Sequence, residues 1–214
     1  MSTYKNRSRW TKKLLVEGND DLHVIANIRD RYQLPDNFEI VDCKGVDNIA
    51  DKLLSLIKNR QDVIGVVVDA DDQLDSRWQS LRHFMLEQGY AVPEHVRRDG
   101  TIIPASGRNP RIGVWLMPDN LQQPGMLEHF VASLIPPDDG LILEASRILT
   151  ELEVSNLNKY KSIHKSKALI YTWLAWQESP GTPMGLAITK TYLTHNSDLC
   201  QRFITWLDTL FNFE

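Results

Sequence analysis

Leu14-Leu15-Val16 and Val66-Val67-Val68 are short apolar runs of strand character, and each stops abruptly at carboxylates. Glu17-Gly18-Asn19-Asp20-Asp21 follows the first run, and Asp69-Ala70-Asp71-Asp72 follows the second. The chain around them alternates strand and helix patterns. Lys12 to Val16 reads as a strand, and Asp20 to Tyr32 as a helix with Leu22, Ile25 and Ile28 on one face. Phe38 to Cys43 is a second strand. Val46 to Asn59 is a helix with Ile49, Leu53, Leu56 and Ile57 at helical spacing, its start marked by Gly45 and Asp47. Asp62 to Asp69 is apolar almost throughout, as a strand covered on both faces should be. Asp75 to Gln88 is then a helix, capped by Asp75 or Ser76 and stopped at Gly89. A βαβαβα order predicts an α/β fold with a mostly parallel sheet and right-handed crossovers.

Further along, a short strand is expected over Thr101 to Ile103 and an apolar one over Ile112 to Met117, ending at Pro118-Asp119. Gln122-Gln123-Pro124-Gly125 turns the chain into a helix carrying Met126, Leu127, Phe130 and Val131. From about residue 135 the character changes. Pro136-Pro137-Asp138-Asp139-Gly140 reads as a turn, and three helical segments follow near residues 141–154, 164–178 and 196–211. Pro180-Gly181-Thr182-Pro183 separates the last two. The expected organisation is an α/β core over residues 1–135 and a helical extension over 136–214 packed on it.

In an open α/β sheet the carboxyl ends of parallel strands face one crevice, where ligands bind. Neighbouring strands would therefore gather Glu17, Asp69 and Asp71. Such carboxylates repel one another unless protons or cations neutralise them, and hard oxygen donors suit Mg²⁺ or Mn²⁺. Asp21 follows Glu17 by four residues and would face it from the start of a helix. Two cations about 3.5–4 Å apart could activate water and stabilise a leaving oxygen, the usual equipment for chemistry at phosphate.

Composition narrows the classes that remain. With 42% hydrophobic residues in 214, the chain can bury one good core, and no apolar stretch is long enough to span a bilayer. Met1 to Arg7 leads into no signal-peptide core. Cys43 and Cys200 lie far apart without CxxC spacing, which argues against a zinc site or disulfide scaffold and fits a reducing cytoplasm. The net charge of −4 does not mark a general nucleic-acid binder. Basic residues nevertheless cluster at Lys5, Arg7, Arg9, Lys12 and Lys13, at Arg97, Arg98, Arg108 and Arg111, and at Lys159, Lys161, Lys165 and Lys167. Each cluster either tracks a phosphate backbone or is solvated surface. No GxxxxGK[ST] phosphate loop and no Ser-His-Asp arrangement is present, and the histidines form no ligand set.

Val16-Glu17-Gly18-x-x-Asp21, followed one βα unit later by apolar-Asp69-x-Asp71, resembles the Toprim domain, which topoisomerases, primases and several nucleases share. The resemblance covers roughly residues 10–135 and implies a Toprim-like, Rossmann-like sheet. Trp115-Leu116-Met117-Pro118-Asp119 and Pro124-Gly125-Met126-Leu127-Glu128 are similar to the stand-alone bacterial Toprim proteins related to OLD-type nucleases. That likeness implies Mg²⁺- or Mn²⁺-dependent cleavage of DNA or RNA, often beside a separate partner ATPase. It also implies a further acidic ligand, best matched by Glu128, and an assisting lysine, Lys165 or Lys167, to neutralise charge on the phosphorus. An RNA-processing Toprim maturase and a non-catalytic, regulatory metal-binding Toprim module are the alternatives.

Each candidate also has a plainer reading. Asp20 is expected to be the helix N-cap, leaving Asp21 as ligand. Asp119 either ligates metal or only opens a turn. Glu128 is welcome in a helix's first turn for dipole reasons alone. Lys165 and Lys167 are equally at home on a solvated helix face. Trp173, Trp176 and Trp206 read first as helical core, with an exposed subset available for an oligomer surface or for base stacking.

Overall fold

The alternating patterns condense into one sheet covered on both faces. The computed structural model describes residues 10–122 and 124–212. Its strands are β1 (Lys12–Val16), β2 (Glu39–Asp42), β3 (Val63–Asp69), β4 (Thr101–Ile103) and β5 (Arg111–Met117). The first crossovers are α1 (Asn19–Arg31), α2 (Ile49–Lys58, after a 3-10 turn at Val46–Asn48) and α3 (Leu74–Glu87). Then come α4 (Leu127–Ala132), α5 (Gly140–Val154), α6 (Lys165–Ala175), α7 (Met184–Thr189) and α8 (Asp198–Phe211). The strand order is β2-β1-β3-β5-β4, parallel except for β4, which runs antiparallel along the edge of β5. This is the expected α/β, Rossmann-like architecture.

The side-chain period of two divides the strands between two cores. Leu15, Val66, Val68 and Leu116 point to one face, beneath Leu53 of α2 and Trp78 and Met85 of α3. Leu14, Val16, Val67 and Trp115 point to the other, which α1, α4 and the C-terminal helices cover. β3 is central and buried along both faces, which explains its unbroken apolar run.

Two glycines let the last helix reach this sheet. Gly65 and Gly113 pair across β3 and β5, and Leu210 of α8 seats over both. A Cβ on Gly113 would stand 2.5 Å from Leu210 Cδ2, so side chains there would lift the helix. Residues 136–214 thus pack on the sheet as one of its covering layers. Asp139 caps α5 by accepting from the Ile142 N–H, and Ser197 caps α8 by accepting from that of Cys200.

Three local expectations are corrected. The N-cap of α1 is Gly18, and Asp20 sits within the first turn rather than at the cap. The N-cap of α3 is Gln73, one residue before a helix that starts earlier than Asp75 or Ser76 would allow. Met184–Thr189 is helical where the sequence shows only a break, because six residues are too few for a 3.6-residue period to register. Lys5, Arg7 and Arg9 of the first basic cluster lie outside the described residues. Among those described, no helix is long and apolar enough to cross a membrane.

Candidate active site

β1 and β3 lie side by side with Val16 opposite Val67, so the residues that follow them emerge together at the carboxyl edge of the sheet. A cleft of about 630 Å³ opens there. Glu17 and Asp21 line it from the β1–α1 side, Asp69 and Asp71 from the end of β3, and Glu128 and Lys167 from α4 and α6.

Backbone donors orient these carboxylates. Glu17 Oε1 accepts from the Asp69 N–H at 2.8 Å, which ties the ends of β1 and β3 together. Asp69 Oδ1 accepts from the Leu127 N–H at 2.9 Å, at the N-terminus of α4. Asp21 Oδ2 accepts from the Gly18 N–H at 3.1 Å. Each of the three acids therefore commits one oxygen to the main chain and is held by it.

Beyond β3 the chain turns sharply. Asp71 has φ of +52°, a left-handed conformation that separates it from the strand, and its N–H and C=O pair with Gly125 at 2.8 and 2.7 Å. Gly125 has to be glycine for this approach, since a Cβ would lie 2.4 Å from the Met117 carbonyl oxygen. The pairing folds the β5–α4 loop onto the end of β3 and brings the Leu127 N–H to Asp69. Arg77, in the first turn of α3, reaches back to the same loop. It donates to Asp71 Oδ2 at 2.7 Å and to the Asp69 carbonyl at 3.2 Å.

Burial and crowding change the acidity of this group. Desolvation pushes Asp69 well above the usual carboxylate range, and the neighbouring Glu17, Asp21 and Glu128 add to it. Asp21 is raised to about 7, first by burial and then by Glu17. Burial also raises Glu17, although the Asp69 N–H and the Arg77 guanidinium oppose it. Glu128 is 4% exposed, with Lys167 Nζ 3.6 Å from its Oε1. Among the described residues, no three acidic, histidine or cysteine side chains stand close enough to hold a metal ion as placed. Carboxylates that nothing neutralises repel, and these lean on main-chain donors and Arg77 instead. The donor set still fits a hard divalent cation: it is all oxygen, largely buried, and carries more negative charge than its neighbours offset.

The cleft therefore brings together Glu17, Asp21, Asp69, Asp71, Glu128 and Lys167. Asp119 and Lys165 do not line it. Asp119 Oδ1 accepts from the Leu121 and Gln122 N–H groups at 3.0 and 2.8 Å, the bonding of a residue that opens a turn. Lys165 Nζ lies 2.5 Å from Glu153 Oε2 and is paired away from the acids. Arg77 is absent from the sequence-based expectation. A cation in the first turn opposes the helix dipole, a signal that a counter-charge lies near. Asp42, at the end of β2, also lines the cleft, and its salt bridge with Lys44 lowers its pKa. The strand-end rule that picks out Glu17 and Asp69 would have found it. His164, preceding α6, completes the rim.

No curated protein and no solved structure matches this chain. A family model described as "Protein of unknown function (DUF3226)" matches residues 11–212, nearly the whole sequence, and the chain belongs to that family.

Proposed function

We propose that the chain is a divalent-metal-dependent phosphodiesterase acting on nucleic acid, of the Toprim type that its strand-end motifs resemble. The observation that carries this reading is the register of β1 and β3, which seats Glu17 beside Asp69 in a cleft where buried carboxylates crowd without enough cations to balance them. Glu17, Asp21, Asp69 and Glu128 are the residues that would hold Mg²⁺ or Mn²⁺, whose Lewis acidity would activate water and offset phosphate charge. The chain's own groups supply the rest. Main-chain N–H groups hold Glu17 and Asp69 in place. Glu17 can accept a proton from the attacking water at the oxygen not bonded to the Asp69 N–H. Lys167 on the rim can offset charge building on the non-bridging phosphate oxygens. Arg77 anchors Asp71 and steadies the turn beneath it.

The buried, free Cys43 and Cys200 support a reducing, cytoplasmic setting for this activity, and the Toprim likeness carries with it a separate ATPase partner. A second reading keeps the cation and drops the chemistry. The Arg77–Asp71 ion pair favours it, since it engages one of the acids that would otherwise face a substrate. Purified protein incubated with Mn²⁺ and plasmid or single-stranded DNA or RNA separates the two. Cleavage that EDTA, Glu17→Gln and Asp69→Asn each abolish is expected. Undiminished cleavage by both variants would sink the proposal, and thermal stabilisation by Mn²⁺ without turnover would favour the module.

A further inference from the structure

A second cavity, of about 360 Å³, adjoins the acidic cleft and is lined by Tyr160, His164, Lys167, Ala168 and Tyr171. His164 and Lys167 line both cavities and form their common rim. The two aromatic side chains are fixed by their hydroxyls. Tyr171 donates to Asp20 Oδ2 at 2.9 Å, and Tyr160 donates to Glu153 Oε1 at 2.9 Å. Tyr171 nonetheless keeps 41% of its surface open. Asp20 itself lines the acidic cleft, so Tyr171 is tied directly to the site.

The same stretch is basic in a chain whose net charge is −4: Lys159, Lys161, Lys165 and Lys167 all fall within residues 159–167. Lys165 pairs with Glu153 and Lys167 faces Glu128, and Lys159, Lys161 and Lys167 are all exposed. Held aromatic rings beside exposed cations suit a polymer of bases and phosphates, the rings stacking on bases while the cations follow the backbone. In a duplex the bases are stacked on one another and reach such a shelf only after unpairing.

Building on the phosphodiesterase reading, we infer that this cavity is a base-binding subsite for single-stranded nucleic acid. It takes the base next to the scissile phosphate against Tyr171 and Tyr160, with Lys167 and His164 beside the intervening backbone. The substrate class is thus a single strand or an unpaired end rather than intact duplex.

Fluorescence anisotropy of the full chain tests this, using a labelled single-stranded oligonucleotide and the same sequence as a blunt duplex, with Ca²⁺ in place of Mn²⁺. The single strand should bind at least about tenfold more tightly, and Tyr171→Ala and Tyr160→Ala should each weaken it roughly tenfold. Tyr171→Phe, which keeps the ring, should restore most of the affinity. Lys161→Glu should weaken binding and flatten its dependence on salt. Thermal melts check that every variant is folded. Equal affinity for the two forms, single-strand binding untouched by both alanine substitutions, or no binding to either oligonucleotide overturns the inference. Binding is read without turnover, so the two readings can fail separately. Strand-selective binding that needs the tyrosines, with no cleavage in Mn²⁺, would defeat the phosphodiesterase reading alone. Metal-dependent cleavage indifferent to both tyrosines would defeat the subsite alone.

Discussion

Asp69 is buried among other acids, and its removal should have opposite effects with and without metal. Burial raises Asp69 and Asp21 above their ordinary values, so a folded, metal-free protein resists their ionisation. A carboxyl raised on folding contributes stability that is complete below its unfolded pKa, 3.8 for Asp21, and is lost as pH rises through the folded value, about 7. In EDTA the melting temperature should therefore fall between about pH 4 and about pH 7, and an Asp21→Asn, Asp69→Asn double variant should flatten that slope. An equally steep slope in the variant would place the titrating groups elsewhere. Asp69→Asn alone should stabilise the metal-free protein above neutral pH by about 1 kcal/mol, roughly 2–4 °C at this chain length, while abolishing stabilisation by Mn²⁺. Arg77→Ala should remove an ion pair worth no more than about 1 kcal/mol, because both partners are part-exposed, yet slow cleavage at least about tenfold by loosening Asp71. Matched losses in stability and rate would show Arg77 to be merely structural. Glu17, Asp69 and Asp71 were legible as residues because a buried strand has no other use for terminal acids. Asp119 and Lys165 do not line the cleft, since partners that spacing does not reveal engage them, the Leu121 and Gln122 N–H groups and the Glu153 carboxylate, and the cap expected at Asp20 falls at Gly18.

Among the elements, the loop from β5 to α4 decides whether the acids form a site. The Asp71–Gly125 pairing positions the Leu127 N–H on Asp69, and a backbone oxygen occupies the space that any Cβ at residue 125 would need. Gly125→Ala should therefore cost roughly 1–3 kcal/mol in denaturant unfolding and should also depress cleavage, since relief requires the loop to move. Full activity at reduced stability would mean the loop is not part of the machinery. Strand positions were readable throughout, from Lys12–Val16 to Arg111–Met117, because apolar runs bounded by charged and turn residues leave few alternatives. The short α7 was not, because tertiary packing rather than periodicity maintains it: Gly185 lies against the His23 backbone of α1.

For the molecule as a whole, the C-terminal helices are part of the sandwich. Phe203, Trp206, Leu207, Leu210 and Phe211 of α8 are all buried, most of them beneath the β3–β5 face. Exposing them would forfeit on the order of 10 kcal/mol of apolar burial, as much as a domain's entire stability. A fragment ending at residue 135 should accordingly lack cooperative melting and near-ultraviolet dichroism and should bind hydrophobic dyes; a sharp two-state melt would show the first half to be autonomous. By itself the sequence determined the alternation of elements, the parallel sheet and the acids waiting at strand ends, because periodicity and strand termination are local properties of side-chain chemistry. Tertiary structure alone decided that β1 neighbours β3, that Arg77 holds Asp71, that Lys167 rather than Lys165 faces the cleft, and that two tyrosines stand beside it. Those relations join residues up to about 150 positions apart in the chain, and they arise only when the sheet order and the closing loops bring their backbones together.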